Sequence, residues 1–330
     1  MGMPGSSSIE GSTAVGYAPR PLQQPLISLL LEAQNPDGGW GYRVRASSAV
    51  EPSAWAMLAL STAFDRPELS QALDSGLRWL SATQLPDGSW PSFVGQCYGV
   101  WTTSVACGVC SVFLVQSPQY CEVSLVRGLD WLCRSVPGEG SWQSRIRFRL
   151  MPSNRLCAPG AYGWSWTRNT SSWVEPTAYA LLALRSAPPA LLPGRAQARI
   201  ERAERFLFDT RCHRGGWDLG DPPSPEADRM PQAWPTAWAL MALSHHAERA
   251  DVQEAVAWLE SQAAQNKGLA TRAATELCLQ AYGRANGLLP DAPLAFEPPG
   301  FPDILTASWT ALAVGSARQN HSVFLEGNRA

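Results

Sequence analysis

The stretch WVEPTAYALLAL, residues 173–184, decides the fold, because two other stretches repeat it. VEPSAWAMLAL spans residues 50–60, and AWPTAWALMAL spans residues 233–243. Each copy places a Pro before Ser or Thr, followed by Ala, an aromatic residue and a run of Ala, Leu and Met. Pro suits the first turn of a helix, where its missing N–H has no partner. Because each copy is apolar on every side, it predicts a helix that is buried all round.

A glycine turn that ends in tryptophan separates these helices. The pattern Q-x-x-x-G-x-W occurs at residues 34–40 and again at residues 84–90. Residues 136–142 and 211–217 keep the Gly and the Trp but have lost the Gln. A period of about fifty residues built from two helices predicts a solenoid or a closed ring, because one hairpin cannot bury its own apolar face.

Amphipathic segments alternate with the apolar ones and predict the outer helices of this repeat. They cover residues 21–34, 67–84, 123–134, 195–210 and 251–262. Further helices are predicted at residues 101–114, 271–282 and 304–316. In residues 67–84, for example, leucines recur at a spacing of three and four residues, which is typical of one helix face.

Composition and charge exclude two classes of protein. Hydrophobic residues make up 45% of the 330, and 26 basic against 28 acidic side chains give a net charge of −2, which argues against a nucleic-acid partner. No run approaches the roughly eighteen apolar residues of a membrane span, and the N-terminus lacks a signal core, so we expect the cytoplasm. Cys107 and Cys110 share one face of an apolar helix, which favours two small buried side chains over a redox or metal pair.

The turns QNPDGGW and QLPDGSW between paired helices resemble the QW repeats of squalene–hopene cyclases, class II terpene cyclases and, more distantly, protein prenyltransferase β subunits. This resemblance implies an all-α fold, a single (α/α)6 toroid whose inner helices line a cavity at their N-terminal ends. We place the toroid at residues 21–317, with an irregular insertion at 143–172, a flexible tail at 1–20 and a C-terminal tail at 318–330. The cyclases combine two or more toroids, whereas this chain has the length of one.

The resemblance also implies where an acid would lie. Class II cyclases carry D-x-D-D-T-A at the start of an inner helix, with the middle Asp as proton donor. Glu175 takes that position before Thr177, Glu51 takes the corresponding place in VEPSA, and Asp303 precedes the last apolar helix. An acid that protonates an alkene must be neutral, which requires an apolar pocket and a hydrogen-bond partner. The alternative is that a Glu before Pro simply complements the helix dipole.

No metal or cofactor is expected. The prenyltransferase β subunits included in the resemblance place Asp, Cys and His at inner-helix starts around Zn²⁺. Here Ser53 and Thr177 stand at the Cys positions, and no His lies near Asp303. Cys212 and His213 are adjacent in a turn, which favours a surface turn over a metal site.

Residues at the inner-helix starts are the candidates for substrate binding. These are Trp101, Thr103, Trp173, Thr177, Tyr179, Trp234 and Trp309, with Arg168 from the insertion. A ring-lined cavity suits an apolar isoprenoid, and ring faces stabilise a carbocation. The alternative is that large side chains fill the centre of a toroid that holds no guest. Arg168 belongs to a run of Arg that either meets a diphosphate or forms a solvated face.

Two functions remain open from the sequence. The first is a terpene cyclase-like or isomerase-like enzyme that starts cyclisation of a polyprenyl substrate by proton transfer. The second is a non-catalytic toroid that binds a lipid or a protein partner, and peripheral membrane contact is a further option. A carbohydrate-active toroid would need paired carboxylates, which Glu51, Glu175 and Asp303 supply only if the ring brings them together.

Overall fold

The computed structural model describes residues 22–63, 67–138, 162–220, 229–284, 287–289 and 303–319, which form eleven α-helices. In chain order the helices are α1 (Gln23–Glu32), α2 (Val50–Leu60), α3 (Pro67–Thr83), α4 (Thr102–Val112), α5 (Pro118–Arg134), α6 (Val174–Ser186), α7 (Ala196–Asp209), α8 (Ala233–Ala242), α9 (Ala250–Gln262), α10 (Leu269–Ala281) and α11 (Ile304–Gln319).

The three apolar repeats form α2, α6 and α8, and each is buried as predicted. In all three helices, every residue from the Pro to the end of the apolar run is buried. The Pro is the third helical residue in each case, inside the first turn, where a backbone N–H has no partner within the helix. These helices therefore begin where the Pro allows and lie wholly inside the protein.

Six helices form a closed inner ring. Each packs against the next in the order α2, α4, α6, α8, α10 and α11, and α11 packs back against α2. Helices α3, α5, α7 and α9 lie outside against their inner neighbours, and α1 packs against α11 and α2. The predicted (α/α)6 toroid is thereby confirmed, with α10 in the inner ring between α8 and α11.

Four tryptophans connect the outer helices to the inner ones, and we call these contacts the tryptophan corners. Each indole N–H donates to a carbonyl near the end of an outer helix, and each backbone N–H donates to a hydroxyl in the first turn of an inner helix. The pairs are Trp40 with Leu30 (2.7 Å) and Ser53 (2.7 Å), Trp90 with Leu80 (2.8 Å) and Thr103 (2.9 Å), Trp164 with Leu132 (3.1 Å) and Thr177 (2.9 Å), and Trp217 with Leu207 (2.6 Å) and Thr236 (2.8 Å). All four rings are buried, so the corners fix the hairpins from inside the core.

Trp164 forms the third corner, in the place that the turn spacing suggested for Trp142. Gly140 and Trp142 lie outside the described residues. Leu132 and Trp164 are 32 residues apart, whereas ten residues separate the two partners in each of the other corners. The chain between these two partners is therefore 22 residues longer than in each of the other corners.

Two smaller expectations concern membranes and cysteines. Among the helices in the described ranges, none has the length and apolar character that crossing a membrane requires. Cys107 and Cys110 are buried in α4 and are not in disulfide bonds. They pack as the small side chains that the apolar helix predicts.

Candidate active site at the mouth of the ring

The first turns of α2, α6 and α11 meet at one end of the ring, which we call the mouth, and each brings a carboxyl group. Glu51 lies in the first turn of α2, Glu175 in the first turn of α6, and Asp303 directly before α11. The negative charges of Glu175 and Asp303 both raise the pKa of Glu51, so the three groups interact electrostatically. We call them the acid cluster. Closure of the ring brings together carboxyl groups that are far apart in the sequence.

Glu51 is the member of the cluster whose proton is held near neutral pH. Its Oε2 accepts a hydrogen bond of 2.7 Å from the hydroxyl of Tyr42. Burial raises the pKa of Glu51 from 4.5 to about 7, the Tyr42 hydrogen bond opposes this, and the charges of Glu175 and Asp303 add to it. At pH 7 a large fraction of this carboxyl therefore carries a proton, as a general acid requires.

Glu175 has two hydrogen-bond donors instead of one. Its Oε1 accepts a 2.8 Å bond from the hydroxyl of Tyr179, one turn along α6, and the Trp234 indole also donates to the carboxyl. Burial raises the pKa of Glu175, and both hydrogen bonds lower it. Burial and the charges of Glu175 and Glu51 raise the pKa of Tyr179, which keeps the phenol neutral and able to donate.

Asp303 is exposed and caps α11. Its Oδ1 accepts the backbone N–H of Thr306 at 2.8 Å, and its Oδ2 accepts the Thr306 hydroxyl at 3.2 Å. The backbone N–H of Ile304 donates to the carbonyl of Tyr42 at 3.0 Å. The loop that carries Tyr42 therefore joins the starts of α2 and α11, and Asp303 has a capping role as well as its place in the cluster.

Aromatic side chains fill the axis of the ring next to the acid cluster. We call Trp55, Trp101, Tyr179, Trp234, Trp238 and Trp309 the aromatic cluster. The shortest distances between ring centroids are 4.7 Å for Trp234–Trp309 and 4.8 Å for Tyr179–Trp238. Trp55 and Trp238 are at most 1% exposed, whereas Trp101 and Trp234 are only partly buried. The rings therefore pack on one another along the axis, and Trp101 and Trp234 retain exposed ring surface.

The comparisons with known proteins agree with this architecture. A squalene–hopene cyclase from Bradyrhizobium diazoefficiens is 27% identical over 152 residues, which are 45% of this chain and 20% of that enzyme. The chain thus spans about a fifth of the length of this curated relative. No family model matches the sequence. The resemblance that the QW turns carry is confirmed.

The chain forms a closed toroid of helices, and part of its sequence is similar to a squalene–hopene cyclase.

The search of solved structures found matches at low sequence identity, and the first of the two described below shares the fold of this chain. A protein from Actinoplanes is 16% identical and superposes with a TM-score of 0.55, covering 89% of this chain and 98% of its own. A variant of the type II terpene cyclase MstE from Scytonema, in complex with its substrate geranylgeranyl dihydroxybenzoate, is 17% identical with a TM-score of 0.40, covering 90% and 96%. These likenesses concern the fold.

Two of the predicted substrate-binding residues of the toroid belong to its tryptophan corners. Thr103 and Thr177 are fully buried. Their hydroxyls accept the backbone N–H groups of Trp90 and Trp164, and the Thr177 hydroxyl also donates to the carbonyl of Trp173. Because these hydroxyls are occupied by the fold, we leave both residues out of the proposed substrate site.

The remaining candidates lie around the mouth and on its flank. Tyr179, Trp101, Trp234 and Trp309 belong to the aromatic cluster, and their role in substrate binding stays a prediction. Trp173 is partly exposed, and its backbone N–H donates to the carbonyl of Trp164 at 3.0 Å. Arg168 pairs with Asp87 at 3.0 Å and lines a cleft beside the second corner.

Metal ligands do not assemble in the described ranges, where no three His, Cys, Asp or Glu side chains come together in a way that could hold an ion.

Tyr42 is a functional candidate that the sequence reasoning missed. A signal for it exists, because residues 40–55 align with residues 164–179 without a gap, and Tyr42 falls opposite Trp166 in this alignment. Comparison of the two segments would have directed attention to the loop.

Proposed function

We propose that this chain is a terpene cyclase-like enzyme in which Glu51 starts an isoprenoid reaction by protonating a carbon–carbon double bond at the mouth of the ring. The observation that carries the proposal is the placement of Glu51. Burial raises the pKa of this carboxyl to about 7, it lies beside Glu175 and Asp303, and its charge acts on Tyr179 of the aromatic cluster. The sequence alone favoured Glu175, whose pKa burial also raises and two hydrogen-bond donors lower.

The proposed step moves one proton. The O–H of Glu51 gives its proton to one carbon of the alkene, whose π electrons form the new C–H bond, and this leaves a Glu51 carboxylate and a carbocation. The faces of the partly exposed Trp101 and Trp234 stabilise positive charge, and the carboxyl oxygens of Glu175 and Asp303 lie beside the site where it forms. Loss of a proton from the cation to the Glu51 carboxylate forms a new double bond and restores the acid.

Packing along the axis determines where the substrate lies in this proposal. Trp55 and Trp238 occupy the centre, and no more than 1% of either residue is accessible to solvent. A hydrocarbon must therefore lie across the mouth, against Trp101 and Trp234, instead of entering the ring. Such a site favours a flexible polyprenyl chain that bends over these rings.

The test is product formation by the full chain. The protein is incubated with squalene, farnesyl diphosphate and geranylgeranyl diphosphate, and products are identified by gas chromatography with mass spectrometry. Glu51→Gln should lower turnover by about 100-fold or more, because the amide cannot supply the proton. Glu68→Gln changes an exposed carboxyl in the first turn of α3 and should leave turnover unchanged. Absence of cyclic or isomerised product from all three substrates would refute the proposal.

The filled axis supports one alternative, a non-catalytic toroid that binds a lipid or a protein partner. In that case the aromatic cluster is packing, and the acid cluster complements the dipoles of α2 and α6. Native mass spectrometry separates the two functions. A stable complex with a lipid or protein, together with no turnover of any of the three substrates, would establish the alternative.

A further inference from the structure

A cleft of about 350 Å³ lies on the flank of the toroid, where the second tryptophan corner meets the end of α5. Its walls come from residues 99–101, from residues 134–136 and from the loop at residues 164–169. We call it the side cleft. Its volume is at the lower end of the range typical of small-molecule sites. None of the four corners or the acid cluster requires this opening for its own hydrogen bonds.

Part of the lining of the side cleft is aromatic. Trp101 and Trp131 are both partly exposed and line it, and Trp164 lies buried behind. The Trp101 ring stacks on Tyr179 with 5.6 Å between centroids, and the Tyr179 hydroxyl donates to Glu175. A hydrocarbon that leaves the cleft over Trp101 therefore meets the aromatic cluster beside the acid cluster.

The lining of the side cleft also carries positive charge next to these aromatic side chains, because Trp131 donates a hydrogen bond to Asp87, the partner of Arg168. Arg134 and Arg168 line it, and about half of each side chain is exposed. Arg168 pairs with Asp87, which also lines the cleft, and Arg134 pairs with Asp130 at 2.7 Å. Each guanidinium has five N–H donors, so a single carboxylate leaves donors for a second anion.

Charge within the lining favours an anion over a cation. The lining holds two guanidinium groups and one carboxylate, that of Asp87, although the whole chain carries a net charge of −2. The Asp87 carboxylate already accepts hydrogen bonds from the hydroxyl and the backbone N–H of Ser89. A cationic ligand would thus find its one counter-charge occupied and two like charges beside it.

We propose that the side cleft binds an amphipathic anion, with a phosphate or diphosphate head at Arg134 and Arg168 and a hydrocarbon body on Trp101 and Trp131. The assignment of prenyl diphosphates, instead of neutral polyenes, as the substrate class rests on the proposed function. The assignment of the cleft as a binding site does not depend on that function. The head is held at the flank while the hydrocarbon extends over Trp101 to the mouth.

Calorimetric titration of the full chain tests the assignment with three probes: farnesyl diphosphate, farnesol and inorganic diphosphate. Farnesyl diphosphate should bind at least about tenfold more tightly than either of the others, because each of these has one half of the ligand. Arg134→Gln and Arg168→Gln should each weaken it by about 3-fold to 10-fold. Arg78→Gln is the matched control, because Arg78 is an exposed outer-helix Arg in an i,i+4 pair with Asp74. Equal binding of farnesol, or an equal loss in Arg78→Gln, would overturn the proposal.

Hydrogen–deuterium exchange locates the ligand and separates this inference from the proposed function. Farnesyl diphosphate should protect residues 131–138 and 164–170, and protection only at residues 41–50 and 303–306 would place it at the mouth and overturn the assignment. Glu51→Gln should bind farnesyl diphosphate with the wild-type Kd. If the wild-type chain bound farnesyl diphosphate at the cleft but turned over none of the substrates, the binding site would stand and the proposed enzymatic function would be refuted. Turnover without binding at the cleft would refute the binding site and leave the proposed function standing.

Discussion

Residues 40–55 and residues 164–179 have the same plan and differ in where they place one phenol. Both run from a corner Trp through a Ser-Ser pair to V-E-P, a hydroxyl residue, Ala and an aromatic residue. The first segment has Tyr42 in the loop and Trp55 in the helix, and the second has Trp166 in the loop and Tyr179 in the helix. In both segments the Tyr donates to the Glu.

Tyr and Trp have exchanged places between the two segments, and the hydrogen bonds of the otherwise equivalent Glu51 and Glu175 differ as a result. Glu51 receives one hydrogen bond, from the 42% exposed Tyr42, and its pKa rises to about 7 under burial and the charges of its two neighbours. Glu175 receives a bond from the buried Tyr179 and another from Trp234, which favour its charged form. The two copies of one motif therefore each hold a Glu whose pKa is raised by burial, with one hydrogen-bond donor in the first copy and two in the second.

The largest losses of stability should come from substitution of the corner tryptophans. Comparing the two losses tests whether the two segments contribute equally to the fold. Trp40→Ala and Trp164→Ala should each lower the free energy of unfolding by about 3–5 kcal/mol, because each ring is buried and each indole N–H is bonded. Denaturant unfolding followed by circular dichroism measures both. A cost below about 1 kcal/mol for Trp164→Ala alone would show that the corner after the insertion is not equivalent to the first.

The pH dependence of stability should distinguish the two acids. The folded pKa of Glu51 lies above its ordinary value of 4.5, so its stabilising contribution is complete below about pH 4.5 and is lost as pH rises through about 7. Glu51→Gln should therefore gain stability relative to wild type on the order of 1–3 kcal/mol between pH 4 and pH 8. Glu175→Gln should show the same sign with a smaller gain, because two donors stabilise the Glu175 carboxylate. If the free energies of unfolding of wild type and Glu51→Gln changed with pH in parallel, the raised pKa of Glu51 in the folded state would be contradicted.

Removal of each phenol should act on its own Glu. Tyr42→Phe should raise the pKa of Glu51 further, and Tyr179→Phe should raise the pKa of Glu175, each by about 0.5–1 unit, because each variant removes a hydrogen bond to the carboxylate. Carboxyl carbon chemical shifts followed by NMR through a pH titration give both values. If Tyr42→Phe moved the Glu175 value more than the Glu51 value, the pairing described above would be wrong.

The smallest effect should come from the turn between each corner and its Glu. Arg45 and Asn169 occupy equivalent positions, with φ of 65° and 59°, a region that Asn adopts more readily than Arg. Arg45→Asn should raise stability by about 0.5 kcal/mol, and Asn169→Arg should lower it by a similar amount. Thermal unfolding of the two reciprocal variants is the measurement, and a change of the same sign in both would contradict the explanation.

The sequence predicted the toroid because its signal is local and repeated. Apolar helices that begin near a Pro, together with Gly-Trp turns, recur often enough to specify paired helices, and the resemblance to the QW repeats supplied ring closure. The third corner escaped because the G-x-W spacing led to Trp142. A count of thirteen residues back from Ser53, Thr103 and Thr177 finds Trp40, Trp90 and Trp164, whereas Trp217 lies nineteen residues before Thr236.

The site was predictable only in part, because its geometry depends on distant contacts. Glu51, Glu175 and Asp303 could be named from their positions at helix starts, but their electrostatic interaction arises only when α11 packs on α2. Thr103 and Thr177 have the polarity of binding residues, and no local pattern shows that a tryptophan corner uses their hydroxyls. The side cleft combines α5 with two loops, so no single stretch of sequence indicates it.

The seam between α11 and α2 has a consequence for biosynthesis. A ribosome delivers Val50–Leu60 long before Ile304–Gln319, and until then the ring of Trp55 on α2 lacks its partner Trp309, whose centroid lies 6.0 Å away. The nascent polypeptide therefore exposes an apolar edge of α2 throughout most of its translation, the kind of surface that chaperones recognise. Co-translational folding of this chain ends only when α11 arrives to cover that edge.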